Sequence, residues 1–272
     1  MNRANKRRII IYPVALLVVA TMTFLACQAS ARDEENLIGT LQNGGELMAK
    51  LGLYDRAHEN AKKILDLDPD NLYAHLLLAF VHQRKARFED SIREYELAQG
   101  LTRSPEQQQY IELVMADVTR MNEDPEGAIA RLDRFKNRHG DHPQAFLIRG
   151  QIHMDLDETP VAIKWFQRAV QGKTPIKGAH HALAQAFLKL GDKRNALETL
   201  EAAARDRIRI KNLWYRVAVL RKDLGDRAGA SRALRSALHD NRKATMKLIE
   251  KEKESWGSIP QNLLEEKIAI EG

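Results

Sequence analysis

A single cysteine, Cys27, stands in 272 residues. One thiol excludes an intramolecular disulfide and a cysteine-based zinc site. Aromatic residues make up only 6% of the chain. No stretch alternates β-branched and polar residues as a half-buried strand would, so an all-helical chain is expected. A glycine-rich phosphate loop, a nucleophile elbow and a Ser/His/Asp arrangement are all missing. Carboxylates are scattered along helix surfaces, and no residue pattern argues for an enzyme, a cofactor or a small-molecule substrate. Charge of one sign is scarce as well. The formal charge of +6 includes Arg3, Lys6, Arg7 and Arg8, which leaves 39 basic against 37 acidic side chains in the rest. That balance argues against nucleic acid as a partner.

What is present begins with the leader. The basic "NRANKRR" precedes Ile9–Ala26, an apolar run of 18 residues. This has the order of a signal peptide, yet it reaches the lower edge of a spanning helix, about 17–25 residues. "FLAC" places small Ala26 directly before Cys27, with Leu25 and Phe24 ahead of it. It resembles the lipobox of bacterial lipoproteins, which implies a lipid on the Cys27 thiol and cleavage that leaves this cysteine first. Phe24 stands where that pattern usually has an aliphatic residue. Ala29–Ser30–Ala31 is a rival small-x-small cleavage site that would release a soluble chain from Arg32. An uncleaved anchor is the third outcome, with the basic residues kept on the cytoplasmic side. All three place the body in a bacterial cell envelope, facing the periplasm.

The body repeats. Small residues recur at Ala57, Ser91, Ala128, Ala162, Ala196 and Ala230, with successive spacings of 34, 37, 34, 34 and 34. Gly45, Ala79, Ala116, Gly150, Ala184 and Ala218 keep the same intervals, as do Ile64, Ala98, Phe135, Ala169, Ala203 and Ala237. A fixed period of this length marks a stacked repeat architecture. The columns resemble the tetratricopeptide repeat (TPR), a helix–turn–helix of 34 residues. The resemblance implies an all-α solenoid, a right-handed superhelix of six repeats over 37–240. Residues 1–26 would be the leader and 27–36 a linker. A C-terminal capping helix and tail would fill 241–272 and cover the open face of the last pair. Small residues let the two helices of a pair approach closely. The three extra residues fall in "GLTRSPEQQQ" (100–109) and read as a loop insertion.

Local signals set the boundaries. The "LGD" turns at 190–192 and 224–226 place Gly at a helix end and Asp as the next N-cap. Asp124–Pro125, Ser104–Pro105, Thr159–Pro160 and Thr174–Pro175 read as N-cap followed by Pro at the first helical position. The adjacent Gly44 and Gly45 predict a first helix that starts late or frays, since each costs about 1 kcal/mol against Ala.

In the TPR family the concave face, lined by the first helix of each repeat, binds peptide segments. Carried onto this sequence, that face holds Tyr73, Leu76 and Phe80 from repeat two and Tyr110, Leu113, Asp117 and Arg120 from repeat three. Repeat four supplies Leu147, Gln151 and Met154, repeat five His181 and Gln185, and repeat six Asn212, Tyr215 and Val219. The Lys/Asn/Arg set that grips chaperone C-termini in some members is absent from these positions. "HGDH" (139–142) and "HH" (180–181) lack metal-ligand spacing, so no metal is expected. "RDRIRIK" (205–211) reads as a solvated turn with Ile208 and Ile210 beneath it. The function implied is an envelope scaffold that binds a protein partner and is held at the membrane by lipid or leader. Assembly of a secretion or pilus machine is the first reading. Docking of cell-wall hydrolases or proteases is the second, and a homo-oligomer whose groove is filled by the tail 257–272 is the third.

Overall fold

A computed structural model describes residues 33–172, 176, 178–252 and 256. Among these there are twelve helices and no strand. The first, α1, spans 33–50. It is followed by α2 (Tyr54–Leu67), α3 (Leu72–Arg84), α4 (Phe88–Leu101), α5 (Pro105–Met121), α6 (Pro125–His139) and α7 (Pro143–Asp155). Then come α8 (Thr159–Val170), α9 (Ala179–Lys189), α10 (Lys193–Arg205), α11 (Leu213–Asp223) and α12 (Arg227–Lys251). The leader, Cys27, both cleavage sites, Thr174–Pro175 and the tail 257–272 lie outside the described residues.

The helices form two compact units, one through Glu123 and one from Asp124 onward. Unit one holds α1–α5. Its core brings Ala57, Ala61 and Ile64 of α2 against Ala74, Leu77, Leu78 and Val81 of α3, with Ile38, Leu41 and Met48 of α1 at the margin. A second cluster packs Ala79 under Tyr95 and Ala98 of α4 and Ile111, Met115 and Val118 of α5. Unit two holds α6–α12, with Ala162, Phe166 and Ala169 of α8 against Leu147 of α7 and Leu183 and Ala186 of α9. Its last cluster joins α9, α10, α11 and α12 and closes on Trp256.

Every member of the three recurring columns is buried. The close approach they permit has direct consequences. The Ser91 hydroxyl donates to the Ala79 carbonyl at 2.8 Å, so this polar residue enters the core with its hydrogen bond made. A Cβ added at Gly150 would lie 2.4 Å from the Phe166 ring, and one at Gly45 would lie 2.6 Å from the Leu77 side chain. Glycine at 45 thus lets α1 lie close against Leu77, and α1 runs through both glycines from residue 33. The expectation of a late start fails because tight packing on α3 offsets glycine's low helix propensity. Residues 33–36 of the expected linker belong to α1 as well.

Turns within the repeats follow one rule. Gly52, Ala86, Glu123, Asp157, Gly191 and Gly225 occupy the same register, and all have positive φ, from 56° to 87°. Asp192 and Asp226 cap α10 and α12 by accepting from Asn195 N at 3.1 Å and Gly229 N at 2.7 Å. Ser104 and Asp124 cap α5 and α6 in the same way. Thr159 departs from the expected cap. It is the first residue of α8, 3% exposed, and Glu158 precedes it without a side-chain cap. Within α12 the chain kinks at Asn241 (φ −154°, ψ 84°), whose side chain accepts from Ala244 N at 3.0 Å. The capping helix begins there.

Candidate functional site: an aromatic groove in unit one

Four of the expected groove residues converge in unit one. Tyr73, Leu76 and Phe80 repeat along one face of α3 at helical spacing, and Tyr110 projects from α5. Together with Glu46, Ala49 and Lys50 of α1, Leu77 and Tyr95 they line an open cavity of about 400 Å³. Tyr110 is 61% exposed and Phe80 38% exposed. Other parts of the wall are tied to neighbouring helices. The Tyr73 hydroxyl donates to the Gln42 carbonyl of α1 at 2.8 Å, and burial pushes that hydroxyl above the ordinary tyrosine range. Phe80 meets Tyr54 edge-on, with ring centres 6.4 Å apart. Arg84 closes the other side of Tyr54, donating from Nε to its hydroxyl at 3.0 Å. Glu46 and Lys50 form an ion pair at the mouth.

The remaining expected residues divide by what covers them. Leu113 and Leu147 are 5% exposed and belong to the packing between helices. Asp117 and Arg120 pair with each other at 2.9 Å, one helical turn apart. In unit two, Met154 packs against the α7–α9 cluster and Val219 against the last one. Gln151 is half-buried and Gln185 exposed. His181 Nδ1 lies 3.4 Å from the Arg216 guanidinium, which together with burial lowers the His181 pKa; burial is the larger cause. Asn212 takes a left-handed conformation just before α11 (φ 55°).

Tyr215 is the clearest departure. It is 5% exposed beneath Trp256, itself 2% exposed. The Trp256 indole donates to the Tyr215 hydroxyl at 3.2 Å, and that hydroxyl donates to the Glu252 carboxylate at 2.8 Å. Lys222 Nζ sits 4.7 Å from the centre of the Trp256 ring. The chain's own C-terminal segment thus occupies the place where a partner was expected to bind.

The histidines of 139–142 make local contacts and the basic turn faces solvent. His142 caps α7 through Nδ1, and the His139 ring lies 4.8 Å from Phe135. Arg205, Arg207, Arg209 and Lys211 are exposed while Ile208 and Ile210 are half-buried.

Sequence reasoning misses Tyr95, because it takes groove positions from the first helix of each repeat and Tyr95 lies on the second. The available signal is its column, Ala61, Tyr95, Leu132, Phe166, Leu200 and Leu234, in which it is the only polar residue.

With this geometry in place, comparison with known proteins decides the fold. Two models described as tetratricopeptide repeat match residues 113–175 and 178–205. This is a tetratricopeptide-repeat fold. Among solved structures, the one described as a functional characterization of Pseudomonas aeruginosa pilF aligns with a TM-score of 0.53 at 16% identity. It covers 80% of this chain and 99% of that one. PilW, described as a widely conserved type IV pilus biogenesis factor, aligns at 0.54 and 16%, covering 76% and 94%. TTC0263, a thermophilic TPR protein of Thermus thermophilus, aligns at 0.53 and 18%, covering 67% and 98%. At such identities the likeness is one of fold. No curated protein sequence matches the chain.

Proposed function

We propose that this chain is an envelope-anchored adaptor that holds a segment of a partner protein in the groove of Tyr73, Leu76, Phe80 and Tyr110. The observation that carries the reading is a concave apolar site in which Phe80 and Tyr110 stay exposed beside a Tyr73 held by its hydrogen bond to α1. Rigid aromatic anchors lose little entropy on binding and are favoured at the centre of protein interfaces. The basic and apolar leader supports an anchored location, with Cys27 as the residue that would carry lipid. Two structural neighbours described in terms of pilus biogenesis or pilF favour assembly of a membrane machine over docking of hydrolases, by analogy of fold.

The test joins binding to location. A photo-reactive residue at Tyr110 in the native envelope should cross-link one membrane-machine subunit, and Tyr73→Ala/Phe80→Ala/Tyr110→Ala should abolish its capture with helicity retained. A large loss of helical circular dichroism in the triple variant would mean these residues are core. Intact-mass spectrometry of the membrane-extracted chain should give a chain starting at acylated Cys27. A start at Arg32 would make it a soluble adaptor.

A further inference from the structure

The groove of unit one has one polar group set deep in apolar walls. Tyr95 is 4% exposed and lines the cavity. Its hydroxyl is neither hydrogen-bonded to any described residue nor sealed away from the cavity. Buried hydroxyls nearly always have a partner, and the other tyrosines packed into helix contacts follow that rule. Tyr73 reaches the Gln42 carbonyl and Tyr215 reaches Glu252. Packing alone does not call for the oxygen, because Phe166 fills the corresponding place in unit two without one, 1% exposed. Burial first, and the neighbouring Tyr110 second, hold the Tyr95 hydroxyl protonated well above the ordinary range. It is a donor at every physiological pH.

The second observation is charge. Residues 33–123, the part of unit one that forms α1–α5, carry 17 acidic against 10 basic side chains, a net negative charge on the helices around the apolar groove. A field of this sign draws cationic segments and repels anionic ones.

We infer that the cavity takes a bulky apolar side chain of a partner segment whose main-chain carbonyl accepts from the Tyr95 hydroxyl and whose flanking residues are basic. The inference rests on the groove reading proposed above and adds the chemistry of the partner. A cavity of about 400 Å³ admits one large side chain together with the backbone that bears it. The apolar group leaves water, while the carbonyl dragged in with it is satisfied by the Tyr95 hydroxyl, the most deeply buried donor on the wall. Basic neighbours stay at the solvated rim.

The experiment selects short peptides from a random displayed library on the full chain in detergent. Selected peptides are then titrated by fluorescence polarisation against the wild type, Tyr95→Phe and Phe80→Ala/Tyr110→Ala. The expected peptides share one large apolar residue flanked by Lys or Arg. Tyr95→Phe should weaken them about 3–10-fold, the loss of one hydrogen bond, with the melting temperature unchanged or raised. Peptides that need Phe80 and Tyr110 but are acidic, or that bind Tyr95→Phe as tightly as wild type, would overturn the inference and leave the groove reading standing. A lowered melting temperature of Tyr95→Phe would assign the hydroxyl a structural role and overturn it too. Peptides indifferent to Phe80→Ala/Tyr110→Ala, or no enrichment at all, would sink both.

Discussion

Ala86 holds a backbone conformation that suits it poorly. Its φ of 56° is left-handed, where a Cβ crowds the following carbonyl at a cost of about 1–2 kcal/mol. Gly52, Gly191 and Gly225 fill the same turn position in other repeats. Ala86→Gly should therefore stabilise unit one by about 0.5–1 kcal/mol, after the extra freedom of glycine in the unfolded chain is subtracted. Urea unfolding followed by circular dichroism would measure it, and a loss of stability would show that the turn is unstrained. His180 makes a second residue-scale prediction. It is 6% exposed with its Nδ1 unpartnered among the described residues, and burial lowers its pKa from the ordinary value near 6.5. The unfolded chain then binds the proton more readily than the folded one. The contribution to stability is complete above pH 6.5 and declines as pH falls from there towards the folded value. Melting temperature should drop between neutral pH and mildly acidic pH, and His180→Asn should make that slope shallower without removing it, because burial also lowers the pKa of His58, His82, His142 and His181.

At the scale of elements, the end of the array depends on a contact between distant segments. The kink at Asn241 turns the second half of α12 back so that Trp256 seals Tyr215. The Tyr215 hydroxyl sits at about 12, raised chiefly by burial, as expected of a phenol that stays neutral under a covering ring. Trp256→Ala should destabilise unit two by about 3–5 kcal/mol, the usual cost of emptying a large aromatic site. It should also make Tyr215 reactive towards a tyrosine-modifying reagent. An unchanged melt with Tyr215 still protected would mean that the 242–251 helix covers it alone. The helix ends themselves are legible from short-range chemistry. Asp192, Asp226, Asp124 and Ser104 each satisfy an amide three residues on, a contact that needs no knowledge of the fold. Local preference misplaces Thr159 by one residue because its side chain is buried in the helix packing, a tertiary event that such preference does not encode. Gly45 misleads for a related reason, since its cost in an isolated helix is offset where the helix packs closely against Leu77.

At the scale of the whole molecule, stability in a repeat array is carried by each repeat and its immediate neighbours. Gly150→Ala forces a Cβ to 2.4 Å from the Phe166 ring, an overpacking worth about 1–3 kcal/mol. Amide hydrogen exchange should then accelerate in α7, α8 and α9 while α1–α4 keep their protection. A uniform loss of protection across both units would instead show that the chain opens as one cooperative body. The division of charge has the same scale. Acidic residues outnumber basic ones over 33–123, although the body as a whole is nearly balanced. A sum over the chain hides this, and it emerges only when the helices up to Glu123 are counted apart from the basic leader and from the residues beyond Asp124.

The sequence by itself determined the helical class, the six-fold period, the turn positions and the small-residue columns. Each of these arises from contacts between residues a few positions apart or one repeat apart, so spacing along the chain reports them faithfully. Tertiary structure alone decided which groove residues remain open. Tyr215 and Tyr110 are both carried onto the concave face, yet Tyr215 is closed by a tryptophan 41 residues further along, while Tyr110 stays exposed. Tyr95 reaches the groove from the second helix of its pair. Exposure is set by what packs on a side chain from elsewhere in the chain, and a repeat pattern carries no record of that.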